Sequence, residues 1–311
     1  MRAFRFGVQV VDAPSRSAWA ATARKAEDLG FDVLSVPDHL VDILPPLLPL
    51  LAAAEATTTL RVGTLVLNND FRHPVVLARE VAALDLLTDG RVELGIGAGH
   101  ARPEYEEAGL PFDPASTRVE RLGESLSIVK GLLRGDEVTF AGRHYQVKGH
   151  RSHPPPVQRP HPPILVGGNG PSLLRLAARE ADIVGFSGTG RTKADGQNHE
   201  ATGFPPSAVE GRVALVREAA GARFGDLELN ALVQAVIVTD DRAAAAERLR
   251  RRLPELSEDE ILSTPYMLIG SEGHMAEQLH ERRERFGFSY FSIREGAMEA
   301  MAPVIAALAG Q

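Results

Sequence analysis

Strand-like and helix-like segments alternate without a break from one end of this chain to the other, and that alternation constrains the fold most. Eight apolar, β-branched runs can be read as strands: Phe4–Val10, Asp32–Val36, Leu60–Leu67, Val92–Gly97, Ile164–Val166, Asp182–Phe186, Leu227–Val238 and Phe288–Ile293. Each but the last is followed by a segment with helical spacing, as in Val119, Leu122, Leu126, Val129 and Leu133, three or four residues apart. A helix between consecutive strands carries the chain back to start the next strand in the same direction, so the strands are expected to be parallel. Eight such units close a (β/α)8 TIM barrel of about 250 residues plus insertions, which suits a chain of 311. Insertions are expected after helix 4 (a hairpin at Val138–Tyr145 and a proline-rich excursion at Pro154–Pro163), after strand 6 (Gly188–Pro206) and after helix 7 (irregular Leu256–Ile269). A doubly wound open sheet is the competing α/β architecture, but no G-x-G-x-x-G opens the first helix. No shift in composition marks a linker, so residues 1–311 read as one domain.

Charge and composition then exclude whole classes of function. A net charge of −7 repels the phosphates of nucleic acid. With no cysteine, disulfides, thiolate catalysis and zinc–sulfur sites are excluded, as suits a cytoplasmic protein. The N-terminus lacks the apolar core of a secretory signal. The most apolar stretch, Leu40–Ala54, is interrupted by Asp42, Pro45, Pro46 and Pro49 and falls short of the ~20 residues a membrane span needs. The expected partner is a small molecule.

Two strands lose their side chains at their far ends. Val92–Gly97 runs on into Ala98, Gly99 and His100, and Ile164–Val166 into Gly167, Gly168, Asn169 and Gly170. Stripped backbone usually marks the close approach of another body, and one flat ligand lying across both ends would explain the pair. In a barrel of this type the chemistry gathers at the C-terminal strand ends. Asp38 and His39 follow strand 2 there. A histidine beside an aspartate can move a proton near neutral pH, although Asp38 could equally cap the loop while His39 packs. His100 is the second candidate. The glycines before the helix starting at Pro171 offer free N–H groups and a helix dipole to an anion. His144, His150, His153 and His161 lack metal-ligand spacing and read as scattered surface residues, so no metal is expected.

On PDHL (Pro37–Leu40), RVGTLVLNNDFRHP (Arg61–Pro74), LDLLTDGRVELGIGAGH (Leu84–His100), PVQRPHPPILVGG (Pro156–Gly168), ADIVG (Ala181–Gly185) and LIGS (Leu268–Ser271), the chain resembles the luciferase-like superfamily. Within it the chain is similar to the coenzyme F420-dependent oxidoreductases. The resemblance implies a deazaflavin ring over the barrel mouth that exchanges a hydride with a small substrate. It also implies a non-prolyl cis peptide at Leu65–Val66 propping the ring, with Asn68 beside it. Gly97, Ala98 and Gly99 would lie along the cofactor, and Gly167, Gly168 and Asn169 at its phosphate. Asp38 and His39 would stand near the reacting centre, and the protein would be a homodimer. Where sugar-phosphate dehydrogenases of this class carry a glutamate, this chain has His100, which argues against a sugar-phosphate substrate. FMN-dependent monooxygenases share these motifs and are the first alternative; a non-catalytic flavin-binding barrel is the second. An aldolase or isomerase would need a lysine or metal cage at the strand ends, and none of the named ends carries a lysine.

Overall fold

The computed structural model describes residues 2–190, 192–193 and 199–311. Part of the expected strand-6 loop, residues 191 and 194–198, lies outside them. Eight parallel strands close on themselves: β1 (Arg5–Gln9), β2 (Val33–Val36), β3 (Arg61–Thr64), β4 (Val92–Gly97), β5 (Ile164–Gly167), β6 (Ile183–Phe186), β7 (Glu228–Leu232) and β8 (Phe288–Arg294). Closure comes from β8 pairing with β1, with Arg5 opposite Tyr290 and Gln9 opposite Arg294. The glycine-ended strands β4 and β5 are direct neighbours, with Gly95 opposite Leu165. After Thr64 the third strand bulges through a cis Leu65–Val66 peptide and rejoins the sheet at Leu67–Asn68 beside β4.

Because side chains alternate along a strand, each strand sends one set outward to the helices and one inward to the axis. The outward set makes the large core. Helix Ala115–Arg134, for example, buries Leu122, Leu126, Val129 and Leu133 against it. The inward set forms a separate cluster of Val33, Leu165, Ile183 and Tyr290, with Leu65 and Val66 packed on it. Space there is tight. A Cβ on Gly7 would come within 3.0 Å of the Tyr290 hydroxyl, and one on Gly95 within 1.8 Å of the Thr64 carbonyl oxygen. At the base, Arg5 bridges Glu93 and Glu228, and Arg61 reaches Glu93 at 2.8 Å. Burial opposes the Arg5 charge, but Glu93, Tyr290 and Glu228 outweigh it and raise its pKa.

The structure departs from the sequence reading in three places. Leu227–Val238 is not one strand: β7 ends at Leu232, and Ala235–Val238 leaves the barrel to pair in parallel with Met267–Gly270. The segment expected to be irregular, Leu256–Ile269, holds a helix at Glu258–Ser263 with a complete Ser257/Glu260 capping box, and most of that partner strand. Third, a six-residue helix, Arg102–Glu107, stands just beyond β4.

Candidate active site

The short helix after β4 makes the site. It buries Glu104, whose carboxylate reaches across to the loop after β2. One oxygen lies 2.7 Å from His39 Nδ1, and the other accepts the Leu40 N–H at 2.8 Å. A carboxylate accepts only, so Nδ1 carries the proton and Nε2 is left facing away from the clamp. Asp38 plays a different part from the one expected. Its carboxylate accepts from Asn68 N at 3.0 Å and pairs with Arg72 at 2.5 Å, fixing the β3 bulge. It makes no hydrogen bond to the His39 ring, so Glu104, not Asp38, orients that histidine.

His100 stands edge-on to His39, ring centroids 5.4 Å apart, and its ring lies 4.7 Å from that of His199, which comes from the loop after β6. Burial pushes the His100 pKa down to about 4, helped by the nearby His199, His39 and Arg118. At neutral pH it is therefore an uncharged imidazole. The sign of its linkage follows. Between pH 6.5 and about 4 the unfolded chain takes up a proton at this residue and the folded one resists it. Stability should fall as pH drops through that window, and His100→Gln should flatten this part of a melting-temperature curve. An unchanged acid limb in the variant would mean the ring is not desolvated.

The stripped strand ends have a local explanation. A Cβ on Gly97 would meet Val66 Cγ2 at 3.0 Å, and one on Gly167 would meet Val66 Cγ1 at 2.9 Å. The bulge of the chain's own third strand, not a ligand, thus occupies the space over both glycines. Gly99 has φ +74, and a Cβ there would fall 2.0 Å from the Tyr105 hydroxyl. Tyr105 donates to Asn68 at 2.9 Å, and Arg118 donates to the carbonyls of Ala98 and Gly99. Asn68, Ala98 and Gly99 accordingly form one braced rim segment at the β3 and β4 ends.

At the β5 end, the Gly168 N–H is committed to the Gly185 carbonyl. The next turn is open. A Cβ on Gly170 would meet nothing within 4 Å, and helix Pro171–Glu180 has no side-chain cap. Asn169 donates to Ser187 at 2.7 Å and to Thr189 at 3.0 Å, and its oxygen lies 3.4 Å from Arg212 Nη1. An anion is best served by this uncapped helix start with Arg212 behind it, one turn beyond the expected Gly167–Gly168 pair.

Among the missed residues, Glu104 matters most. Its only trace in the sequence is an acid four residues after His100, in a segment too short to show helical period.

Residues 3–310 match the family described as luciferase-like monooxygenase, and the chain belongs to that family. It is 39% identical over 165 residues to an F420-dependent glucose-6-phosphate dehydrogenase of Microbacterium testaceum, covering 50% of this chain and 48% of that one. The chain thus spans about half the length of the curated relatives it matches. Among solved structures, the coenzyme F420-dependent tetrahydromethanopterin reductase of Methanopyrus kandleri superimposes with TM-score 0.79 at 18% identity, covering 99% of this chain and 100% of that one. A riboflavin lyase solved with modified FMN and riboflavin gives TM-score 0.79 at 14% identity, covering 99% and 91%. The described residues include no helix long and apolar enough to cross a membrane.

Proposed function

We propose that the protein is a coenzyme F420-dependent oxidoreductase that moves a hydride between F420 and a small organic substrate, working as a cytoplasmic homodimer. The carrying observation is the Glu104–His39 clamp beside neutral His100 at the mouth of the barrel. Hydride exchange with a carbonyl or alcohol also moves a proton, and this pair offers one carrier and one uncharged neighbour. The relatives named F420-dependent support the choice of cofactor, whereas fold likeness alone extends to an FMN-binding protein as well.

The residues present fit such a group. The uncapped start of helix Pro171–Glu180, opening at Gly170 with Arg212 near, would hold its phosphate. The bulge at Leu65–Val66, seated over Gly97, and the rim at Ala98 and Gly99 would support its ring. F420, when bound, supplies two-electron hydride chemistry without activating oxygen. His39 Nε2 then gives or accepts the substrate's proton, Glu104 fixes the ring that carries it, and His100 stays uncharged alongside.

Parallel titrations with F420 and FMN, read by cofactor fluorescence, test the reading. F420 is expected to bind and FMN to bind far more weakly. Tight FMN binding with none of F420 would move the protein to the FMN-dependent monooxygenases.

A further inference from the structure

Among the described residues, one cation at the mouth pairs with no acid. Arg294 ends β8 and pairs in register with Gln9 at the end of β1. Gln9 points into the barrel, since its amide Nε2 donates to the Leu65 carbonyl at 2.6 Å, past the end of β2. Arg294 follows the inward positions Tyr290 and Ser292, and its guanidinium donates to the side-chain oxygens of Gln9 and, at 3.3 Å, of Gln234. Gln234 is held in turn through the Ser187 carbonyl at 3.1 Å. Two neutral amides therefore aim the guanidinium without neutralising it, and none of the ion pairs among the described residues includes Arg294. The side chain is exposed to solvent. Desolvation by the surrounding protein nevertheless lowers its pKa.

The geometry points to Arg294 as the recognition residue for an anionic oxygen group, a carboxylate or a phosphate, on the substrate; the assignment to substrate rests on the function proposed above. A planar guanidinium matches both groups, and a partly desolvated cation gains most from an anion brought to it. The amide pair keeps the fork aimed, while an acid at either glutamine would fill the anion's place.

The probes are inorganic phosphate and acetate, titrated by calorimetry at low ionic strength into the wild type, Arg294→Gln, Arg294→Lys and Gln234→Glu. F420 affinity is measured in parallel by fluorescence. The wild type is expected to bind one of the two anions, and the responding arm identifies the group. Arg294→Gln and Gln234→Glu should each weaken that anion about tenfold or more, and Arg294→Lys should restore part of the loss. F420 affinity should stay within about twofold throughout, since the cofactor is not what Arg294 serves. Wild-type anion affinity in both loss variants overturns the inference. So does a wild type that binds neither anion, and so does a loss confined to F420. If F420 fails to bind the wild type while an Arg294-dependent anion still does, the proposed cofactor falls and the anion site stands.

Discussion

His39→Asn is expected to lower kcat for F420-coupled turnover by about 10²–10⁴-fold, the range for loss of a positioned proton-transfer group. F420 affinity should change little. The asparagine amide can still meet Glu104, so the loop after β2 keeps its anchor while the titratable nitrogen disappears. Glu104→Gln should cost less than His39→Asn. It leaves a hydrogen-bonding partner for Nδ1 and for the Leu40 N–H, but removes the charge that sets the tautomer. The pH profile separates the roles. His100, with its pKa pushed down to about 4, should contribute no step to the rate near neutral pH. If His39→Asn turns over normally and His100→Asn does not, the assignment is reversed.

The second large effect lies at the opposite end of the barrel. Arg5→Met is expected to reduce unfolding free energy by about 3–5 kcal/mol in urea titrations, as when one partner of a buried ion network is removed. Glu93 and Glu228 are almost wholly buried; Arg5 pairs with both, and Glu93 also pairs with Arg61. Burial already raises the Glu228 pKa, and Arg5 is the first group that counters it. Without the guanidinium, folding would press the Glu228 carboxyl to hold a proton that the unfolded chain releases at neutral pH. The deficit should therefore be largest near pH 7 and shrink as pH falls through the carboxylate range, where both states are protonated. A small, pH-independent deficit would mean that packing, not charge, secures the base.

Much of the barrel is legible in the sequence because alternation and helical spacing are local properties. The cis Leu65–Val66 bond follows from the family resemblance alone, and no residue pattern would have located it. Two failures share one cause, the blindness of periodicity to partners. The apolar pattern runs without interruption from Leu227 to Val238, so nothing local marks Val233–Gln234 as the point where the chain abandons the barrel for Met267–Gly270. Likewise, Asp38 adjoins His39 in sequence yet bonds to Asn68 and Arg72, while Glu104, 65 residues away, holds the ring. At the ends of β4 and β5 the glycines are sites of close approach, by Val66 at Gly97 and Gly167 and by Tyr105 at Gly99. The bulge that carries Val66 lies in a third strand and leaves no mark on the other two.

Tyr290 and Val66 stop the bore of the cylinder like a cork, with the Arg5 cluster sealing it beneath. The molecule consequently has one doorway. Under the proposed function, whatever gives up the electrons and whatever receives them must share that threshold, either side by side or by taking turns, and a reactant that lingers after its half of the exchange blocks the next.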